Sequence, residues 1–143
     1  MTQAEGLLEL ADGPSEGEAS NANRTLATDW ESGDLQLWVV RTGDVVHAPE
    51  NCEFGSKRTA GVVKHTNLTG GALAFAAGEI VFVGPSQLVV NGCSGRYPVR
   101  SKEAMDAVAM AFKNSGYDVW STGWDVEARR AVPFGTVPVS RVA

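Results

Sequence analysis

The chain has 143 residues, 43% hydrophobic and 20% charged, with a formal net charge of −5 at pH 7. That size and composition fit one soluble globular domain, and no apolar run reaches the ~18 residues of a membrane span. Two cysteines, Cys52 and Cys93, are too few for a disulfide scaffold and lack the paired spacing of a zinc site, which leaves free thiols or one disulfide.

The first 34 residues hold eight acids against Arg24 alone. Gly13-Pro14-Ser15 and the polar stretch from Glu16 to Asn23 offer little apolar surface to bury. Residues 1–28 are therefore expected to form a flexible acidic leader, and residues 29–143 a single globular domain. The leader is either a solvated tail or a mimic of an acidic ligand that folds over basic surface. No basic start followed by an apolar stretch is present at the N-terminus, so no secretory signal is expected. The expected location is the cytoplasm, either of the producing cell or of a cell into which the protein is delivered.

From Leu35 to Val40 the chain is rich in β-branched and aromatic residues and predicts a strand. Thr42-Gly43-Asp44 is a turn signal before a second strand at Val45-Val46-His47, which places His47 on an exposed hairpin arm. Pro49 to Ser56 reads as a loop. Val62 to His65 predicts a third strand, broken by Gly70-Gly71. Leu73 to Val83 reads as another, interrupted at Gly78, and Gly84-Pro85-Ser86 turns the chain into Leu88-Val89-Val90.

One helix is clear. Ser101 can cap Lys102-Glu103-Ala104-Met105, and Met105, Val108, Ala109 and Phe112 recur at helical spacing. Ser115-Gly116 ends it, with Gly116 suited to a left-handed position. Tyr117 to Trp120 predicts a returning strand. From Asp125 onward the chain reads as an irregular tail with a short edge strand at most. The expected fold class is α+β: a twisted antiparallel sheet of short strands with one C-terminal helix packed on it.

The chemistry-bearing residues concentrate between Gly55 and Lys102, where six basic side chains accompany one acid. His65 follows a predicted strand, and its imidazole titrates near neutrality. Glu79, the lone carboxylate, has apolar neighbours that would raise its pKa toward a useful proton donor or acceptor, while nearby cations oppose the rise. His65 and Glu79 are the candidate catalytic pair. Lys64, Thr66, Ser94, Arg96, Tyr97 and Arg100 are the candidate substrate and phosphate contacts. The arginines can hold phosphate bidentately, Tyr97 can stack on a ring, and the N-terminus of the following helix favours an anion. Each has a bland alternative, such as a solvated arginine, a strand carboxylate facing water or a structural turn. No Gly-rich phosphate loop, no serine nucleophile elbow and no DNA-binding motif is present. No metal ligand set and no cofactor is expected.

Four blocks together carry a resemblance: Trp38-Val39-Val40 with Gly43; Lys64-His65-Thr66-Asn67-Leu68-Thr69-Gly70-Gly71; Ala76-Ala77-Gly78-Glu79; and Ser94-Gly95-Arg96-Tyr97-Pro98 before a helix. In order and spacing they resemble a module with the pattern His-Ser-Ser-Phe-Leu-x-Gly-Gly … Ala-Ala-Gly-Glu … Ser-Gly-His-Tyr. That module is similar to C-terminal domains of bacterial polymorphic toxins and effectors, and to the globular part of plant IQ-motif calmodulin-binding proteins. The resemblance spans about residues 35–120. Arg96 stands where the pattern has His, and the IQ motif itself is absent. The resemblance implies a toxin or effector context, in which an immunity protein would be a partner.

Three functions follow as expectations. Glu79 and His65 could divide the proton transfers of metal-independent RNA cleavage, with arginines on the charged phosphorane. The same set could serve NAD cleavage or ADP-ribosyl transfer, with NAD as substrate, His65 on the ribose and Glu79 beside the developing oxocarbenium ion. The third is a binding or interaction module without turnover. In the first two the partner is RNA or a nucleotide, and in none is it a membrane.

Overall fold

The structure is a computed structural model that describes residues 1–10, 25–84, 86–135 and 137–142. Its frame is a hairpin of β2 (Asp34–Val40) and β3 (Val45–Pro49), closed across Thr42 and Gly43. Strand β4 (Ala76–Val83) pairs along the other side of β2, and β5 (Gln87–Val90) pairs with β4, all antiparallel. A helix, α3 (Lys102–Asn114), then carries the chain to β6 (Asp118–Ser121), which runs parallel to β5. Two short edge strands, β1 (Leu8–Glu9) beside β3 and β9 (Ser140–Arg141) beside β6, complete a seven-stranded sheet in the order β1-β3-β2-β4-β5-β6-β9. The α+β class holds. The sheet is mostly antiparallel, and its one parallel pair arises because α3 crosses over between β5 and β6.

Alternation along the strands divides the core by face. Trp38, Ile80, Leu88 and Val90 pack on one face against Met105, Ala109 and Phe112 of α3. This is the apolar stripe expected of that helix. Its cap is also as expected: Ser101 Oγ accepts the Ala104 N–H at 3.0 Å, and Gly116 takes a φ of 103°. The opposite face carries two separate clusters. One contains Leu37, Val39, Val46, Val63, Leu68, Ala77 and Tyr97; the other is Val81, Val89 and Trp120. Glu79 lies on this face, between Ala77 and Val81 on β4 and opposite Leu37 on β2.

Several expectations are corrected. The third strand expected from Val62 to the break at Gly70-Gly71 does not form: Val62 to Lys64 are irregular, and His65 opens a short helix, α2 (His65–Thr69). Asn67 decides this: its side-chain carbonyl accepts the Lys64 N–H at 2.8 Å, and Gly70 ends the turn at a φ of 64°. The loop from Pro49 contains another helical turn, α1 (Glu53–Ser56). Gly78 does not interrupt β4. It is required there, because a Cβ would run into the Asn91 carbonyl oxygen and the Trp38 ring.

The first ten residues are not a free leader. Leu8 and Glu9 pair with His47 and Val46, Leu7 and Leu10 are buried, and the N-terminal ammonium donates to the Asn67 carbonyl at 3.1 Å. Residues 11–24, half of the expected leader, lie outside the described residues. His47 is buried, with its Nδ1 2.5 Å from Gln36 Oε1, because β1 covers the arm that the sequence leaves exposed. The C-terminal segment is more ordered than expected: β7 (Trp124–Asp125) and β8 (Arg130–Ala131) form a hairpin. Both cysteines are free thiols.

Candidate functional site

Beside Glu79, between Leu37 and Val63 on one side and Cys93, Val99 and Ala131 on the other, lies a cleft of about 620 Å³. Its floor is Leu37, Glu79 and Val99, and its rim carries Lys64, Arg96, Arg130 and Glu50. A cavity of this size is in the range that holds a nucleotide-sized molecule. No helix among the described residues is long and apolar enough to cross a membrane.

Glu79 is half-buried and held by Asn91. The Asn91 side-chain amide donates to Glu79 Oε1 at 3.0 Å, and its side-chain carbonyl accepts the backbone N–H groups of Glu79 and Cys93, each at 3.0 Å. The two donors fix which end of the amide faces which way, so its N–H must point at the carboxylate. Asn91 is fully buried, and its backbone carbonyl in turn accepts the Trp38 indole N–H at 3.0 Å. One oxygen of Glu79 is thereby fixed, while the other has no hydrogen-bond partner among the described residues. Cys93, next along the chain, also lines the cleft, and burial pushes its thiol above the ordinary value. It is therefore a protonated thiol at neutral pH.

His65 is committed at both ring nitrogens. Nε2 lies 2.8 Å from the Gly78 carbonyl, which can only accept, so Nε2 carries the proton. Nδ1 then accepts from the Ser94 hydroxyl at 3.1 Å, while Ser94 Oγ itself accepts the Tyr97 N–H at 3.0 Å. Burial lowers the imidazole pKa, against the Gly78 carbonyl and the charges of Glu79 and Glu50, which raise it. At neutral pH the ring is the uncharged Nε2–H tautomer. It ties α2 and the Ser94 loop to β4.

The structure thus brings together His65, Glu79, Lys64, Thr66, Ser94 and Arg96 from the sequence-predicted set. It does not bring Tyr97 or Arg100 there. Tyr97 is 7% exposed, and its hydroxyl donates to the Ala72 carbonyl at 2.7 Å and lies 3.0 Å from Thr69 Oγ1. Its ring is core, and it anchors the Ser94–Pro98 loop beside Ala77, whose N–H it accepts at 2.8 Å. Arg100 is exposed and outside the cleft lining. The N-terminus of α3, expected as an anion site, is capped at the Ala104 N–H by Ser101 and contributes no residue to the cleft lining.

Asn91, Arg130, Cys93 and Glu50 were not found from sequence. Asn91-Gly92 after an apolar strand reads as a turn, and its full burial is a tertiary property. Arg130 reaches the cleft only because the β7–β8 hairpin folds back, which no local pattern signals. Comparison with protein-family models, with curated proteins and with solved structures gives no match to this chain.

Proposed function

We propose that the cleft binds a phosphate-bearing nucleotide and that Glu79 is its reacting carboxylate, in a toxin- or effector-type domain that cleaves the N-glycosidic bond of NAD or transfers the ADP-ribosyl group. The observation that carries this reading is the unequal state of the two candidate catalytic groups. His65 has both ring nitrogens engaged within the protein and is neutral, so it is poorly set to trade protons with a substrate. Glu79 has one oxygen anchored by Asn91 and faces the cleft. A single positioned carboxylate suits a reaction whose transition state carries positive charge on a ribose. Lys64, Arg96 and Arg130 supply the cations for a diphosphate. His65 then acts as a positioning residue, holding β4, α2 and the Ser94 loop in register.

Metal-independent RNA cleavage is the second reading, and the Ser94–His65 hydrogen bond is what favours it. A second proton-transfer group is needed there, and the Ser94 hydroxyl is the link between the His65 ring and the cleft.

Incubation with NAD and, separately, with total RNA distinguishes the readings. Under the first, wild type releases nicotinamide and Glu79→Gln lowers that rate by at least about 100-fold, while Ser94→Ala retains most of it. Loss of RNA integrity that Ser94→Ala and Glu79→Gln both abolish would instead establish the second. A wild type inert in both assays and harmless when expressed in bacteria would sink both, leaving a non-catalytic binding module.

A further inference from the structure

Glu79 belongs to two hollows. Besides the cleft, a second one of about 310 Å³ shares Glu79 and Pro133 with it but is otherwise walled by Trp30, Leu35, Val81 and Phe134. The two differ in chemistry. The cleft holds Lys64, Arg96 and Arg130, whereas the second hollow holds no cation among its lining residues and adds one further acid, Glu31.

Strand alternation explains the arrangement. Leu35, Leu37 and Val39 of β2 and Ala77, Glu79 and Val81 of β4 share one face of the sheet, so a carboxylate sits in the middle of an apolar stripe. The Trp30 and Phe134 rings stand above its Val81 end, 5.3 Å apart between centroids and inclined at 75°. Both are only half-buried. In an edge-to-face pair a third planar ring can still stack on a free face.

The geometry points to this second hollow as the subsite for the nicotinamide ring of the dinucleotide whose diphosphate lies in the cationic cleft. The inference rests on the N-glycosidic reading above. A pyridinium is planar, aromatic and positively charged, and two aromatic rings with Glu31 and Glu79 are complementary to it on each count. The bond between the ring nitrogen and the ribose C1′ then lies at Glu79, where the two hollows meet. On cleavage both electrons of that bond go to the nitrogen and neutral nicotinamide leaves. The oxocarbenium ion faces the carboxylate and is captured by water, which releases one proton.

The test compares two ligands that differ only by the nicotinamide ring. NAD and ADP-ribose are titrated by calorimetry into Glu79→Gln, which blocks turnover, and into the same protein carrying Phe134→Leu or Glu31→Lys. Phe134→Leu is expected to weaken NAD about three- to tenfold and to leave ADP-ribose within about twofold. Glu31→Lys, at an exposed position, should move the same way by repelling the pyridinium. Equal weakening of both ligands by either variant, or weakening of neither, overturns the subsite while leaving the nucleotide reading standing. Failure of both ligands to bind wild type and Glu79→Gln overturns the two together.

Discussion

The fully buried Asn91 donates its side-chain amide to Glu79 at 3.0 Å, and in the same step accepts the backbone N–H of that residue. Strand β4 and the turn leaving β5 are thereby locked around the carboxylate. The carboxylate is oriented before any ligand arrives, and a buried amide can supply such orientation without itself reacting.

Asn91→Ala removes the acceptor for two N–H groups, those of Glu79 and Cys93. A stability loss of about 2–6 kcal/mol is expected in urea denaturation, since each of the two buried donors left unpaired costs about 1–3 kcal/mol. Asn91→Asp is the more informative change. It keeps the acceptor but sets a second carboxylate against Glu79, so one of the two must hold a proton over a wider pH range. The pH profile of any turnover should shift upward in this variant, and an unchanged profile would show that Asn91 does not act through Glu79.

Gly78 is a sensitive position of a different kind. A Cβ there meets the Asn91 carbonyl oxygen, and both the Cζ2 and Nε1 atoms of Trp38 at 2.8 Å. None of these can move without breaking the Trp38–Asn91 hydrogen bond. Gly78→Ala should cost about 3 kcal/mol, as overpacking against backbone does at its upper end. Gly43→Ala is the control: nothing lies within 4 Å of its Cβ, and its effect should stay within about 0.5 kcal/mol. Similar melting temperatures for the two variants would contradict the packing around Glu79.

His65 gives a pH dependence whose direction is determined. Burial holds its folded-state pKa below the ordinary value, so the unfolded chain takes up a proton first as the pH falls. Its contribution to stability is complete above the ordinary histidine value of about 6.5 and declines as the pH drops through it, levelling off below the folded-state pKa. Chemical denaturation of wild type and His65→Gln between pH 8 and pH 5 should show the difference shrinking toward low pH. A difference that grows on acidification would mean a charged imidazole in the folded protein.

Much of the frame was legible in the chain. The alternation of Leu35 to Val40, the cap and stripe of the helix from Ser101, and the strand after Gly116 depend on neighbours within a few residues. Local pattern reports such elements well. His65 and Glu79 stand out in the sequence because each is a rare residue type in its stretch, and both line one cleft. The helix at His65 was missed for a local reason: Val62-Val63 suggests a strand, and the cap that overrides it is an asparagine reaching three residues back.

Where sequence reasoning went further astray, the deciding contacts were distant. Leu7 and Leu10 are buried because β3 leaves an edge that residues 8 and 9 can pair with, a fact invisible in their acidic surroundings. Tyr97 reads as a ligand-stacking ring from its glycine-rich setting, yet Ala72 and Thr69 claim its hydroxyl from another loop. By itself, the sequence determined the α+β class, the long helix from Lys102 and the strands on either side of it, because their patterns are local. Only the tertiary structure decided the states of the site residues. Burial and long-range hydrogen bonds made His65 neutral and internally committed, set Asn91 against Glu79, brought Arg130 into the same cleft, and left that carboxylate between a cationic hollow and an aromatic one.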